Sequence, residues 1–171
     1  MAAYAFTYDP NGRLTALRET RTEFLPDWYV TAREYSFSYD ATGNLFREVV
    51  TNRFSNGGDN VLITDYTHPT TPIPSPLADA TEPALLNALA LYYRLDALPA
   101  RYWQPTNPTR SMTTIGGVDF PPKEAARALF TPRLGNNQRI DSQEVVTSTY
   151  PAGSQFPQDR TLVQTFSYAC F

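Results

Sequence analysis

An eleven-residue motif, Tyr-x-Phe-x-Tyr-Asp-x-x-Gly-x-Leu, occurs twice near the start of the chain, at 4–14 and again at 35–45. Its three aromatic residues recur at every second position. This is the period of a β-strand, so the three rings should fall on one face of a sheet. The Asp-x-x-Gly that follows is typical of a tight turn. Each copy therefore predicts a β-hairpin, and Phe166-Ser167-Tyr168 repeats part of the motif without its turn.

The polar residues of the motif have a structural explanation. Asp9 can accept a hydrogen bond from a backbone N–H of the turn, and Pro10 suits the second turn position, where its ring fixes φ. Gly12 can adopt the positive φ that closes a type I turn followed by a bulge. The second copy repeats this pattern without the proline. We predict structural turn roles for four residues: Asp9, Gly12, Asp40 and Gly43.

Strand patterns separated by short turn signals cover most of the chain. Such turns are too short to hold crossover helices, so neighbouring strands should be antiparallel. We predict a mainly β protein with one antiparallel meander of about eight or nine strands, curled into a half-barrel or open barrel, as a single domain over 1–171. The predicted strands are 4–8, 13–24, 28–39, 45–54, 60–66, 110–115, 126–129, 139–150 and 161–171. Residues 124–129 also fit a helical turn, Gly116 and Gly117 follow a strand, and 151–159 form a loop.

The segment 68–108 has a different character. It contains eight of the 15 prolines, and strand interiors do not tolerate proline, so we predict a Pro-rich insertion of loops and one short helix. Thr81-Glu82-Pro83 is typical of a helix start, and the helix should end before Pro99. Three residues form an apolar stripe at helical spacing: Leu85, Leu89 and Tyr92.

This stripe suggests a role for the helix. The motif rings make one face of the sheet apolar, and such a face needs a cover because a large exposed apolar patch promotes association. The opposite face is expected to meet water through Arg18, Arg33 and Glu48. We predict that the helix covers the rings, either as a fixed plug or as a lid over a ligand pocket. The possible ligand-face or lid residues are Leu85, Leu89 and Tyr92.

Composition argues against several classes of protein. The chain has 14 Lys and Arg residues against 17 Asp and Glu, a net charge of −3, whereas a nucleic-acid binder needs a basic surface. No apolar run approaches the roughly 18–20 residues of a transmembrane helix. The single cysteine, Cys170, cannot form a disulfide within the chain. Met1 leads directly into a strand without a signal peptide, which favours a mature fragment with an added Met over a cytoplasmic protein.

Few residues could carry catalysis or bind a metal. His68 is the single histidine, so a zinc site lacks ligands, and a Ser-His-Asp or Cys-His pair would have to use it. Asp59 and Asp65 could be the paired carboxylates of a glycosidase. Together with Asn56 they could contact calcium, although their spacing matches no known calcium loop. We predict no enzyme, no cofactor and no metal.

The motif resembles the YD, or Rhs-type, repeat, in which each unit is a β-hairpin and long arrays form shells. Two copies and a Pro-rich interruption are too few for a shell. The whole chain resembles a family of bacterial cell-envelope lipoproteins of unknown function, on the two motifs, the insertion 67–108 and Thr165-Phe166-Ser167-Tyr168. This resemblance implies a porin-like or half-barrel antiparallel fold and a lipid anchor in the full-length protein. The lipid-attachment cysteine is missing here, and the family offers no catalytic residues to transfer.

The sequence leaves three functional hypotheses. The first is a non-catalytic structural or binding module of the cell envelope, in the periplasm or on the outer surface, with an unknown protein, glycan or lipid as its partner. The second is a carrier of an apolar, lipid-like ligand in the concave face of the sheet. The third is an enzyme, which would need polar groups of shifted pKa in one cleft. We prefer the first, because no catalytic motif accompanies the scaffold.

Overall fold

The structure is a computed structural model that describes residues 2–21, 30–76, 78, 104–117, 120–150 and 156–167. These residues form one sheet of nine strands, each antiparallel to the next along the chain, with β1 and β9 at its two open ends. The strands are β1 (Ala2–Tyr8), β2 (Leu14–Arg21), β3 (Val30–Tyr39), β4 (Leu45–Phe54), β5 (Asp59–Thr67), β6 (Arg110–Gly117), β7 (Phe120–Leu134), β8 (Ile140–Thr149) and β9 (Gln158–Thr165). The predicted mainly β, open antiparallel meander is confirmed.

The first five strands follow the sequence patterns closely. β4 has the predicted bounds, and β5 is one residue longer at each end than predicted. β2 ends at Arg21 and β3 begins at Val30, while the predicted continuations to Phe24 and from Trp28 lie outside the described residues. Local turn chemistry and alternation are strong in this half of the chain, so they locate the strands well.

The later strands differ from their predicted bounds. β6 continues through Gly116 and Gly117, because β5 pairs with both of these glycines. β7 spans 15 residues instead of 126–129, and the alternative of a helical turn is wrong. β9 begins at Gln158, within the predicted loop, and ends at Thr165 rather than running to the chain end. In each case pairing with a neighbouring strand sets the bounds.

β7 contains three prolines, Pro121, Pro122 and Pro132, although strand interiors seldom tolerate them. The first two lie at an irregularity in the pairing with β6, before the pairing with β8 begins at Ala126. Pro132 lies beyond Leu129, where the pairing with β6 ends. A proline lacks only its N–H, so positions paired on one side accommodate it. The expectation that prolines exclude strands is therefore wrong here.

Register pairs place the motif rings on one side of the sheet, here called the ring face. Phe6 is opposite Leu17, and Leu17 is opposite Tyr35, and directly opposed residues share a face. The core of this face consists of buried Leu14, Leu17, Phe37, Leu45 and Tyr66, with Tyr4, Phe6, Tyr35 and Tyr39 half-buried against it. The Tyr35 and Phe37 rings stack with centroids 6.3 Å apart. Tyr8, the remaining motif ring, is 39% exposed.

Two charged residues expected on the water-facing side, Arg33 and Glu48, lie on the ring face. Alternation gives the reason, because Arg33 is two residues from Tyr35 and must share its face. Both have polar partners there. Arg33 is opposite Glu19 in the register, and Glu48 accepts a 2.9 Å hydrogen bond from the Tyr66 hydroxyl. The ring face is therefore mixed in polarity rather than purely apolar.

The described residues contain no helix. The predicted helix and its stripe, Leu85, Leu89 and Tyr92, lie outside them, so the plug and the lid stay predictions. Both ends of the insertion are described, and they meet at an isolated bridge between Pro74 and Thr106. This bridge holds the start and the end of the insertion together beside the sheet.

Candidate functional site

One carboxylate organises the first motif turn. Asp9 Oδ1 accepts 2.9 Å hydrogen bonds from the backbone N–H groups of Asn11 and Arg13, and Asp9 Oδ2 accepts a 2.7 Å bond from Arg13 Nε. Gly12 has a φ of 77°, and its N–H donates to the Asp9 carbonyl. The backbone hydrogen bond from Arg13, supported by its guanidinium, holds the pKa of Asp9 below its usual value.

The second turn has the same geometry but a different outer partner. Asp40 Oδ1 accepts hydrogen bonds from the backbone N–H groups of Thr42 and Asn44, each 2.9 Å, and Gly43 has a φ of 88°. Burial raises the pKa of Asp40, but the hydrogen bonds from Thr42 and Asn44 outweigh it and leave that pKa lowered. Asn44 replaces Arg13 of the first copy, and its Oδ1 accepts a 2.9 Å bond from the N–H of Thr106. The second turn thus anchors the insertion.

A buried polar junction lies beside this turn. Gln104 is fully buried, and its Oε1 accepts a 2.9 Å hydrogen bond from the Leu45 N–H. The same oxygen lies 3.0 Å from Nε2 of His68. The histidine considered for catalysis therefore contacts a buried amide oxygen and helps to fix the end of the insertion.

The junction extends to the far half of the sheet through Asn107. Its Nδ2 donates to the Pro108 carbonyl at 3.1 Å and to Gln143 Oε1 at 2.7 Å, and Gln143 Nε2 lies 3.4 Å from Gln164 Oε1. Asn107 Oδ1 is buried and has no hydrogen-bond partner among the described residues. The geometry of this set joins the insertion to β8 and β9 and contains no nucleophile beside a base.

A buried ion cluster occupies the ring face near the start of β1. Glu19 is 5% exposed, and its Oε1 lies 2.7 Å from Arg21 Nε, while its Oε2 lies 3.8 Å from Arg33 Nη1. Desolvation raises the pKa of neighbouring Tyr35. One carboxylate held between two guanidinium groups is a structural arrangement, because its charge is already neutralised.

The opposite side of the sheet, here called the charged face, carries a ladder of ion pairs across four strands. Arg18 Nε lies 3.7 Å from Glu34, Glu34 lies 2.9 Å from Arg53 Nη2, and Arg53 Nη1 lies 2.6 Å from Asp59. The hydrogen bond from Arg53 holds the pKa of Glu34 below its usual value. These exposed pairs align neighbouring strands, although each contributes little to stability on its own.

A groove of about 370 Å³ begins where this ladder ends. Its lining is mostly apolar, with the Asp59 carboxylate at one end. A Cβ on Gly116 would approach Pro122 Cγ to 3.3 Å, so the glycine keeps space open beside that ring. The lining consists of Asp59, Val61, Ile63, Thr114, Gly116, Gly117 and Pro122. The groove is on the charged face, and it is the candidate binding site. The expected pocket under a lid on the ring face involves residues outside the described part of the chain and stays a prediction.

The structure does not bring the candidate carboxylates together. Asp59 and Asp65 are six residues apart on β5, roughly 20 Å at the rise of a strand, far beyond the about 5–9.5 Å of a glycosidase pair. Asp59 pairs with Arg53 and Asp65 with Arg47, each at 2.6 Å. Asn56 Oδ1 accepts a hydrogen bond from the Gly58 N–H. In the described part of the chain, no three His, Cys, Asp or Glu residues cluster to hold a metal.

Sequence reasoning missed several residues of these sites. Glu19 could have been found, since it lies two residues after Leu17 and alternation places it on the ring face. Gln104, Asn107 and Gln143 gave no local signal, because the side-chain contacts that join them to other elements span 21 to 59 residues. The groove also gave no signal in the sequence, because it forms only where the three neighbouring strands β5, β6 and β7 lie side by side.

No described helix has the length and apolar character needed to span a membrane. No protein-family model matches the chain, and no curated protein matches it. Among solved structures, the chain is similar to a porin-like protein from Bacteroides vulgatus ATCC 8482, with a TM-score of 0.45 and 11% identity over 95% of this chain and 71% of that one. It is also similar to a porin-like protein from Bacteroides uniformis ATCC 8492, with a TM-score of 0.35 and 17% identity over 95% and 87% of the two chains. The YD-repeat and lipoprotein resemblances stay predictions.

Proposed function

We propose that this protein is a non-catalytic structural or binding module of the cell envelope. The lowered pKa values of four carboxylates support the absence of catalysis. Hydrogen bonds from turn residues or from guanidinium groups hold the pKa values of Asp9, Asp40, Glu34 and Glu124 below their usual values. A carboxylic acid that acts as a general acid at neutral pH needs a raised pKa. These side chains instead fasten turns and strands.

Turnover assays with ester, phosphate, peptide and glycoside model substrates test this proposal. We expect no rate above the uncatalysed background. Glu48 accepts a hydrogen bond from Tyr66 on the ring face. The variant Glu48→Gln checks whether any measured rate depends on this carboxylate. A measurable rate that Glu48→Gln abolishes, with the circular dichroism spectrum unchanged, would show catalysis and overturn the proposal.

The envelope location rests on the resemblance of the hairpin motifs and of the insertion to envelope lipoproteins. Fractionation of the source cells, followed by detection with an antibody to this chain, tests it. We expect the protein in the periplasmic or membrane fractions, together with envelope markers. Its recovery with a cytosolic marker enzyme would contradict this part of the proposal.

A second candidate function, carriage of an apolar ligand, is favoured by one observation. The groove beside Asp59 offers the side chains of Val61, Ile63 and Pro122 to a ligand, and apolar contact is the main source of small-ligand affinity. This groove opens on the charged face, whereas the pocket predicted under a lid on the ring face stays a prediction. The Asp59 carboxylate at one end is paired with Arg53, so the groove suits a ligand with a neutral, hydrogen-bond-donating head and an apolar body.

Fluorescence titration with the neutral apolar dye Nile red, and native mass spectrometry of freshly purified protein, test the carrier hypothesis. Val61→Ser removes an apolar wall of the groove, and Val163→Ser is the control, since Val163 is 64% exposed on β9, away from the groove. The carrier hypothesis expects Val61→Ser to weaken probe binding by about tenfold, or about 1.4 kcal/mol, with no change for the control. Equal effects of the two variants would remove support from the groove.

A further inference from the structure

The edge strand β1 lacks the devices that normally protect a sheet edge. Its sequence, AAYAFTY, contains no charged residue and no proline, whereas natural edge strands carry Lys, Pro or inward-pointing charges against pairing with another chain. Ala3, Ala5 and Thr7 are exposed, and Tyr4 and Phe6 are half-buried against the ring-face core. Among the described residues, β1 pairs only with β2. In the described part of the chain, no strand covers its outer row of backbone groups, and this row can accept one.

The internal motif copy indicates what such a strand should look like. The equivalent of β1 in the second copy is β3, and β3 is covered on that side by antiparallel β2. There Tyr35, the equivalent of Tyr4, is opposite Leu17, and Ser36 is opposite Ala16. A strand on the outer edge of β1 should therefore be antiparallel, with a large apolar residue opposite Tyr4 and a small residue opposite Ala5.

Charge narrows the choice of partner. In the internal copy the next two register pairs are Glu34 with Arg18 and Arg33 with Glu19. The positions of β1 equivalent to Glu34 and Arg33 are Ala3 and Ala2. A strand carrying charges at these positions would find no counter-charge, so the site suits an uncharged strand. β1 itself is uncharged and offers Phe6 and Ala5 as the required large and small residues.

We propose that β1 pairs with β1 of a second copy of this chain, antiparallel and centred on Ala5. In this register each Ala5 is opposite its equivalent, and Tyr4 of each copy is opposite Phe6 of the other. The two ring faces then form one continuous surface, and each half-buried Tyr4 and Phe6 gains an aromatic neighbour. The two-fold axis makes the contact isologous, the commonest arrangement of a homodimer.

The other edge fits a second copy less well. β9 carries Asp159 and Arg160, which discourage pairing as edge charges do. A contact between β1 and β9 of another copy is also unfavourable. With nine antiparallel strands, β1 and β9 run in the same direction, so that contact would be parallel or would join a ring face to a charged face. Two-fold pairing of β1 preserves both the antiparallel ladder and the ring face.

The test uses the symmetry of the contact. Ala5 is exposed and faces its own equivalent, so Ala5→Lys and Ala5→Glu each place like charges opposite one another, whereas an equal mixture of the two variants places opposite charges together. Thr161→Lys, at an exposed position of β9, is the matched control. Sedimentation velocity from micromolar to millimolar concentration measures dimer formation, and circular dichroism checks that each variant is folded.

We expect a concentration-dependent dimer of the unmodified chain, a dimer Kd raised about tenfold or more in each Ala5 variant alone, and recovery in their mixture. Thr161→Lys should dimerise as the unmodified chain does. A chain that stays monomeric throughout overturns the proposal. Ala5 variants that dimerise normally, or a dimer lost in Thr161→Lys, overturn it as well, because the contact would then lie elsewhere.

Discussion

The hydroxyl of Tyr39 donates a 2.8 Å hydrogen bond to the backbone carbonyl of Leu14. Tyr39 ends the first strand of the second motif copy, and Leu14 begins the second strand of the first, so this bond joins the two repeats. The Arg13 guanidinium lies 5.0 Å from the centre of the Tyr39 ring. The last tyrosine of the motif thus fastens its hairpin to the preceding one.

The burial of Tyr39 predicts that the folded chain loses stability at high pH. Burial raises the pKa of Tyr39 from 10.0 to about 12, so the folded chain retains a proton that the unfolded chain loses between these values. The Tyr39 contribution is fully present below pH 10, and the free energy of unfolding should fall by up to about 1 kcal/mol per pH unit as pH rises from 10 towards 12. Urea denaturation at a series of pH values measures this fall.

Tyr39→Phe supplies the comparison. It removes the hydrogen bond and should cost about 0.5–1.5 kcal/mol at neutral pH, while its unfolding free energy should decline less steeply between pH 10 and 12. Tyr8→Phe, at the exposed ring of the first copy, should keep the profile of the unmodified chain. A Tyr39→Phe profile parallel to that of the unmodified chain would show that another group governs the alkaline transition.

Substitution of Gly12 tests the turn assigned to the first motif copy. Its φ is 77°, and a Cβ built on it meets nothing within 4 Å. Any cost of substitution is therefore backbone strain rather than collision. Gly12→Val should lower the free energy of unfolding by about 1–3 kcal/mol, and Gly12→Asn should lose less, because asparagine tolerates positive φ. Equal melting temperatures for the two variants would contradict this explanation.

Gln138 is a non-glycine residue in the same strained conformation. Its N–H donates to the Gly135 carbonyl as that of Gly12 does to Asp9, and its φ is 61°. Three turns of this kind have glycine at the equivalent position, and glycine pays no Cβ penalty there. Gln138→Gly should raise the free energy of unfolding by about 1 kcal/mol. A lower melting temperature for this variant would show that the side chain contributes more than its strain costs.

These turns also show which parts of the fold are predictable from the sequence. Asp9 and Gly12 encode their hairpin within a few residues, so the turn and the strands on either side are predictable from local chemistry. Gly116 and Pro121 illustrate the opposite case. Alone they indicate strand ends, but pairing with β5 keeps Gly116 in β6, and the half-paired start of β7 accommodates Pro121.

The polar sites depended even more on distant contacts. Gln104 lies in the Pro-rich insertion, and only the approach of Leu45 and His68 makes it a buried hydrogen-bond centre. The groove needs Val61 and Pro122, which belong to strands separated by the whole insertion. Strand alternation predicts which face a residue occupies, but it does not predict which distant residue will lie beside it.

Glu19 and Asp65 allow a comparison of a buried and an exposed ion pair in one sheet. Glu19 is 5% exposed, and its partner Arg21 has a side chain only 10% exposed. Asp65 and Arg47 have side chains 40% and 48% exposed. Glu19→Gln removes the negative charge of a mostly buried ion pair and should cost about 3 kcal/mol. Asp65→Asn should cost at most about 1 kcal/mol, because water already solvates both partners.

Urea denaturation of both variants at low and high salt measures these costs. High salt should reduce the small effect of Asp65→Asn, since the distance over which exposed charges interact shortens to about 3 Å at 1 M salt. The effect of Glu19→Gln should change little, because water and ions do not reach a buried pair easily. Similar losses for the two variants, with similar salt dependence, would mean that Glu19 is solvated in solution and that the ring face at Arg21 and Arg33 is open to water.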